Sequence, residues 1–199
     1  MRRNIAGIIV MLCCFTATAI AQTDSTGKAV KKGCSCTFSS INQVGLLTGE
    51  TGSYFLAQTI NGIKYKTWFA GVGVGLDFYK VRGVPVFLDV RKDLLNKTAT
   101  PFIYVDGGIN FSWPTDKDKG GEDRWKFNND LYLDAGLGYK NNLGKGHALL
   151  VSVGYSLKMI KQKYAPYEIC PLWGACWPTS KEVYKYTFNR LSLKVGWQF

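Results

Sequence analysis

The last eleven residues, NRLSLKVGWQF, alternate strictly from Leu191 onward. Leu191, Leu193, Val195, Trp197 and Phe199 are apolar; Ser192, Lys194, Gly196 and Gln198 separate them. A period of two belongs to a strand with unlike faces, not to a helix. The alternation recurs through most of the chain. In KTWFAGVGVGLDFYK, Trp68, Ala70, Val72, Val74, Leu76 and Phe78 share one face, while Phe69, Asp77, Tyr79 and three glycines share the other. PVFLDVR, TPFIYVDGGINFSW, DLYLDAGLGYK and ALLVSVGYSLKM repeat it over 85–91, 100–113, 130–140 and 148–159. Two less regular stretches, Thr37–Thr48 and Ser53–Ile63, bring the expected total to eight strands.

The two faces separate a soluble sheet from a membrane one. A soluble barrel turns its apolar face inward and coats the outside with long polar side chains. Here the less apolar face holds mainly Gly, Ser, Tyr and Asp, a poor solvent coat but a good filling for a narrow eight-strand lumen. The other face is nearly free of charge, as lipid contact requires. Trp68, Phe78, Trp113, Tyr139, Trp197 and Phe199 fall at strand ends, where interfacial aromatic girdles belong. The expected fold is all-β, an eight-stranded antiparallel up-and-down transmembrane β-barrel over 37–199.

The front end agrees with export. Arg2 and Arg3 precede an apolar run from Ile5 to Phe15, and Ala19-Ile20-Ala21 offers a small-x-small cleavage site. Residues 1–21 read as a secretory signal peptide and 22–36 as a short periplasmic segment. A lipoprotein reading through Cys13 or Cys14 ranks second, because bulky Leu12 stands where a small residue is expected. The chain carries a formal charge of +11, and loss of Arg2 and Arg3 leaves +9. An exported protein does not normally meet nucleic acid, so the expectation is either anionic headgroups or surface polysaccharide as counterparts, or, with at least equal weight, a merely solvated basic surface.

The long connections share one parity, although the links after the first and third strands are short and weaken the rule. Links expected near Asn61-Gly62, near Asn96 and in NNLGKG are compact; those over 114–129 and 160–182 are longer. With both termini on one side, this is the short-turn, long-loop asymmetry of an outer-membrane barrel.

With these features the chain resembles small bacterial outer-membrane β-barrels of the OmpA/OmpX type. Stretches such as NGIKYKTWFAGVGVGLDFY also resemble barrel proteins of Bacteroidota. In the former family a terminal strand ending in Phe, with apolar residues at alternate positions, is the signal read by the barrel-assembly machinery. The resemblance therefore implies that role for Leu193, Val195, Trp197 and Phe199. It implies outer-membrane lipid as the surrounding solvent and carries no specific activity.

On the inner face lie Asp77, Asp89, Asp106 and Asp134 with Arg91, Lys158, Arg190 and Lys194. Buried charges must be paired, so an internal salt-bridge and tyrosine network is expected. It ranks above an ion path, because eight strands leave little room. Cys170 and Cys176 are expected to form a disulfide closing a seven-residue ring, worth about 2 kcal/mol. That ring would either present Trp173 and Trp177 to a surface glycan or another envelope protein, or let them pack on neighbouring loops and order the outer surface, two readings of equal weight. Cys34 and Cys36 lie at the start of the first strand, across the ~30 Å of a bilayer core from that loop. Their spacing fits no zinc site, and no metal or cofactor is expected. The run DKDKGGED resembles the opening of a calcium loop, but its twelfth position is Phe127. GVGVG lacks the helix a phosphate loop needs. His147 has no Ser-and-acid setting in the sequence, so no catalytic residue is assigned. The expected role is structural or interactive: envelope integrity, adhesion, or a subunit of an envelope assembly. A lipid-modifying enzyme and a narrow pore are the alternatives.

Overall fold

The computed structural model describes residues 36–114, 125–164 and 182–199, all within the unit Ser35–Phe199. Their strands are β1 Cys36–Gly49, β2 Gly52–Tyr65, β3 Trp68–Asp77, β4 Gly83–Asp93, β5 Ala99–Ser112, β6 Trp125–Asn128, β7 Asp130–Gly144, β8 His147–Tyr164 and β9 Glu182–Gln198. β6 and β7 both pair with β8 and are parted by Asn129 alone. Asn128 faces Lys161 while Tyr132 faces Lys158, a slip of one residue. They are one barrel strand with a bulge, and the wall has eight strands.

Each strand pairs antiparallel with its neighbours, and β9 closes the wall against β1. A walk across the registers from Phe38 runs through Ile63, Ala70, Val90, Val105, Ala135, Tyr155 and Leu191. It returns to β1 at Thr48, ten residues further on. For eight strands such a stagger tilts them by about 40° to the axis and leaves a lumen that side chains can occupy completely. Every residue on this walk is exposed and none is charged. It is one turn of a lipid-facing belt.

Leu88 is 63% exposed and its neighbour Asp89 is 0% exposed, so the pleat sorts apolar residues outward and charge inward. Trp68, Tyr139, Trp197 and Phe199 are exposed at the end that holds the termini. Phe55, Phe78, Phe111 and Trp113 are exposed at the other. These are the two girdles.

Two local expectations change. Asn61-Gly62 is not a turn: both residues sit inside β2, opposite Ser40 and Ser39, and the chain reverses at Lys66-Thr67. Gly62 is there for space, since a Cβ would lie 2.3 Å from the Ala70 carbonyl oxygen. In NNLGKG the strand persists to Gly144, and the turn is Lys145-Gly146, both at positive φ, the pairing that suits a tight hairpin. A third point concerns Tyr184, Tyr186 and Phe188, whose parity is opposite to the apolar stripe of β9. The β8–β9 register runs unbroken from Ala148↔Gln198 to Tyr164↔Glu182, so no bulge intervenes. The strand has instead risen out of the apolar belt. There its outward positions are Lys185, Thr187 and Asn189.

Candidate functional site: the barrel lumen

The registers place Asp89, Asp106 and Asp134 side by side on β4, β5 and β7. Ser156 and Arg190 continue the same row on β8 and β9. Like charges directly opposite each other destabilise a sheet, and all three carboxylates are 0% exposed. Cations from other levels compensate them. Arg91, two residues beyond Asp89 on the same strand face, donates its Nε to both Asp89 oxygens at 3.0 and 2.8 Å. Its Nη2 lies 2.7 Å from Asp89 Oδ2 and donates to Gln43 at 3.2 Å. Lys194 reaches across from β9 to Asp134 at 3.2 Å and Asp106 at 3.4 Å.

Neutral side chains join these pairs. Gln43 donates to Gln58, and Gln58 donates to the Tyr132 hydroxyl at 2.9 Å. The Tyr104 hydroxyl donates to Asp134 at 2.8 Å, and Ser192 donates to the same oxygen at 3.1 Å. Lys194 also sits 4.2 Å from the Tyr104 ring centroid, a favourable place for a cation. Asp106 is held least well: its Oδ1 is buried with no hydrogen-bond partner among the described residues.

Asp77 forms a second centre towards the end away from the termini. Its Oδ2 takes Arg190 at 2.6 Å and Lys158 at 3.3 Å, and its Oδ1 accepts the Tyr79 amide at 2.8 Å. Lys158 further donates to the Val81 carbonyl at 2.8 Å, and Arg190 to Ser156 at 2.8 Å. Above it Leu47, Leu56 and Tyr79 cluster with Tyr54 and Phe188. Towards the termini, Ile41, Phe69, Phe102 and Leu150 belong to a buried apolar cluster with Phe87, Tyr104 and Tyr132. Glycines make this possible. A Cβ at Gly73 would lie 2.4 Å from the Phe87 ring, and one at Gly138 2.3 Å from the Phe102 ring. Each glycine stands directly opposite the ring it admits.

The eight charged residues singled out in the sequence thus occupy the lumen in two groups: Asp77, Lys158 and Arg190; and Asp89, Arg91, Asp106, Asp134 and Lys194. A third group, not singled out in the sequence, joins Asp93 with Lys140 at 2.9 Å and Lys64 at 3.8 Å. Asp93 shares the parity of Asp89 and Arg91, and that was the available signal. Gln43 and Gln58 were missed because β1 and β2 alternate poorly. His147 is exposed at the terminal end, its ring 5.9 Å from that of Trp197. Cys36 is disulfide-bonded. Cys34, Cys170, Cys176, Trp173 and Trp177 lie outside the described residues, as do residues 1–21, expected as a signal peptide, residues 22–35 of the expected lead, and the run 116–123. Among the described residues no group of His, Cys, Asp and Glu has the arrangement to hold a metal ion.

No protein-family model matches the chain, and no curated protein does. Solved structures match its fold. Neisserial surface protein A superposes with a TM-score of 0.51 at 11% identity, covering 82% of this chain and 97% of that one. The outer membrane protein OprG from Pseudomonas aeruginosa gives 0.52 at 10% identity, covering 81% and 95%. The outer membrane protein AlkL, determined by solid-state NMR in DMPC bilayers, gives 0.50 at 15% identity, covering 88% and 94%. At these identities the likeness is one of fold.

Proposed function

We propose that the chain is an outer-membrane protein of a Gram-negative bacterium, that its lumen is filled and non-conducting, and that it serves as a structural and surface-interaction element of the envelope. An eight-strand antiparallel transmembrane barrel with a lipid-facing belt is an outer-membrane fold. The observation that carries this reading is the burial of the lumen charges. Asp77, Asp89, Asp106, Asp134, Arg91, Lys158, Arg190 and Lys194 are all at most 4% exposed. A water-filled pore would leave its charged lining wet, whereas here the charges bond to one another between two apolar layers.

Interaction then falls to the outer loops. A Cys170–Cys176 ring carrying Trp173 and Trp177 offers constrained aromatics to a glycan or an envelope protein. Residues 1–21 act as the signal peptide and 22–36 as the periplasmic lead. The terminal Leu193, Val195, Trp197 and Phe199 address the chain to the assembly machinery. Kinship with Bacteroidota barrels belongs to the same reading.

Reconstitution into planar bilayers tests the lumen. The purified barrel is expected to give no unitary current steps; reproducible steps that change in size on Asp106→Ala would overturn the reading.

A further inference from the structure

At the end that holds the termini the lumen opens into a recess of about 420 Å³. Lys64, Lys66 and Lys140 line it, with Ser39, Asn142 and Gln198. It is blind. Beneath it, among Ile41, Phe69, Phe102 and Leu150, remains a void of only about 10 Å³, at the lower limit of what holds one water molecule.

The charge in this recess does not balance. Asp93 answers both Lys140 and Lys64 with one oxygen, at 2.9 and 3.8 Å. Lys66 adds a third positive charge to the wall. Three lysines against the Asp93 carboxylate and the α-carboxylate of Phe199 at the mouth leave one positive charge uncompensated. The Lys140 side chain is only 4% exposed, so solvent screens it little. Lys92, Lys97 and Lys145 belong to the same end of the barrel, and Asp93 carries the only acidic side chain there among the described residues. A concave wall of one sign focuses its field into the opening.

We propose that this recess is an anion-binding site for a phosphate group, with Lys64, Lys66 and Lys140 as its cationic wall. A phosphate monoester carries close to two negative charges near neutral pH, opposite in sign to the residual charge of the wall. Lysine serves such a ligand as a point charge and requires no bidentate fit. Phe38 and Phe199 stand exposed at the mouth, next to the lipid belt. A phosphate on a lipid headgroup and one on a soluble ester can therefore both enter.

The test is calorimetric titration of the whole barrel in a neutral maltoside detergent at low salt. One arm uses glycerol 3-phosphate and the other a short-chain phosphatidic acid, with the matching phosphatidylcholine as a zwitterionic control. Binding in the first arm identifies a soluble ester as sufficient; binding in the second alone identifies a headgroup. Either is expected to weaken about tenfold or more in the double variant Lys64→Gln, Lys66→Gln, which loses two charge-assisted contacts. Both positions are less buried than Lys140, so this variant is expected to fold. Lys185→Gln, at the far end of the barrel, is expected to leave affinity unchanged. No binding in either arm would overturn the proposal. So would undiminished affinity in the double variant, or equal weakening by Lys185→Gln.

Discussion

Asp77→Asn asks whether the lumen charges hold the barrel together. The substitution keeps the side-chain shape and removes one charge. Arg190 at 2.6 Å and Lys158 at 3.3 Å end on the same carboxylate oxygen, and all three side chains are fully buried. After the change two cations face each other with no counter-charge. Breaking a buried pair by removing one partner costs about 3–5 kcal/mol. A unit pair at 4 Å and an effective dielectric of 20 gives about 4 kcal/mol, the same scale. Because two cations depend on this carboxylate, the loss is expected near the upper end, about 4–5 kcal/mol. The assay is denaturant unfolding of the barrel refolded into one fixed lipid, followed by tryptophan fluorescence and by heat-dependent gel mobility. A double-mutant cycle with Arg190→Met isolates the pair, and a coupling of about 2 kcal/mol or more is expected. A loss below about 1 kcal/mol, or strict additivity in the cycle, would refute the reasoning, because the buried charges would then be solvated by something other than each other.

The companion change Asp106→Asn should behave oppositely. Asp106 lies between two other aspartates and has an unpartnered oxygen, so its loss is expected to cost less than about 1 kcal/mol in the same assay. Gly73→Val places a side chain against the Phe87 ring and should lower stability by about 1–3 kcal/mol; Gly73→Val combined with Phe87→Ala should recover part of the folded fraction on a gel. Leu88→Arg on the belt is expected to cost about 2–4 kcal/mol in bilayers if Leu88 lies near the midplane, and the cost should shrink in detergent. Deleting Phe199 removes its two backbone bonds to Ser40, at 2.7 and 2.9 Å, where β9 closes on β1; slower appearance of the heat-modifiable form is the expected readout in cells and in refolding.

The strands and their facing were legible in the residues because a pleat has a period of two and a membrane punishes charge on one face only. From that alone follow the belt, the girdles and the inward placement of Asp89, Arg91, Asp106 and Lys194. Strand ends were less legible. Asn61-Gly62 has the composition of a turn, but Gly62 serves the close approach of β3, and only cross-strand distance reveals that. Pairing was not legible at all. Which cation serves which carboxylate depends on the ten-residue stagger of the closed wall, a property of eight registers taken together and of no single strand. That stagger sets Asp89, Asp106 and Asp134 in one row, brings Lys194 across from β9, and gathers Lys64 and Lys66 at the end of β2 with Lys140 of β7 into one recess. Alternation along each strand is enough to turn the charges inward. Barrel closure decided where they meet, because contacts between distant strands exist only once the last strand has found the first.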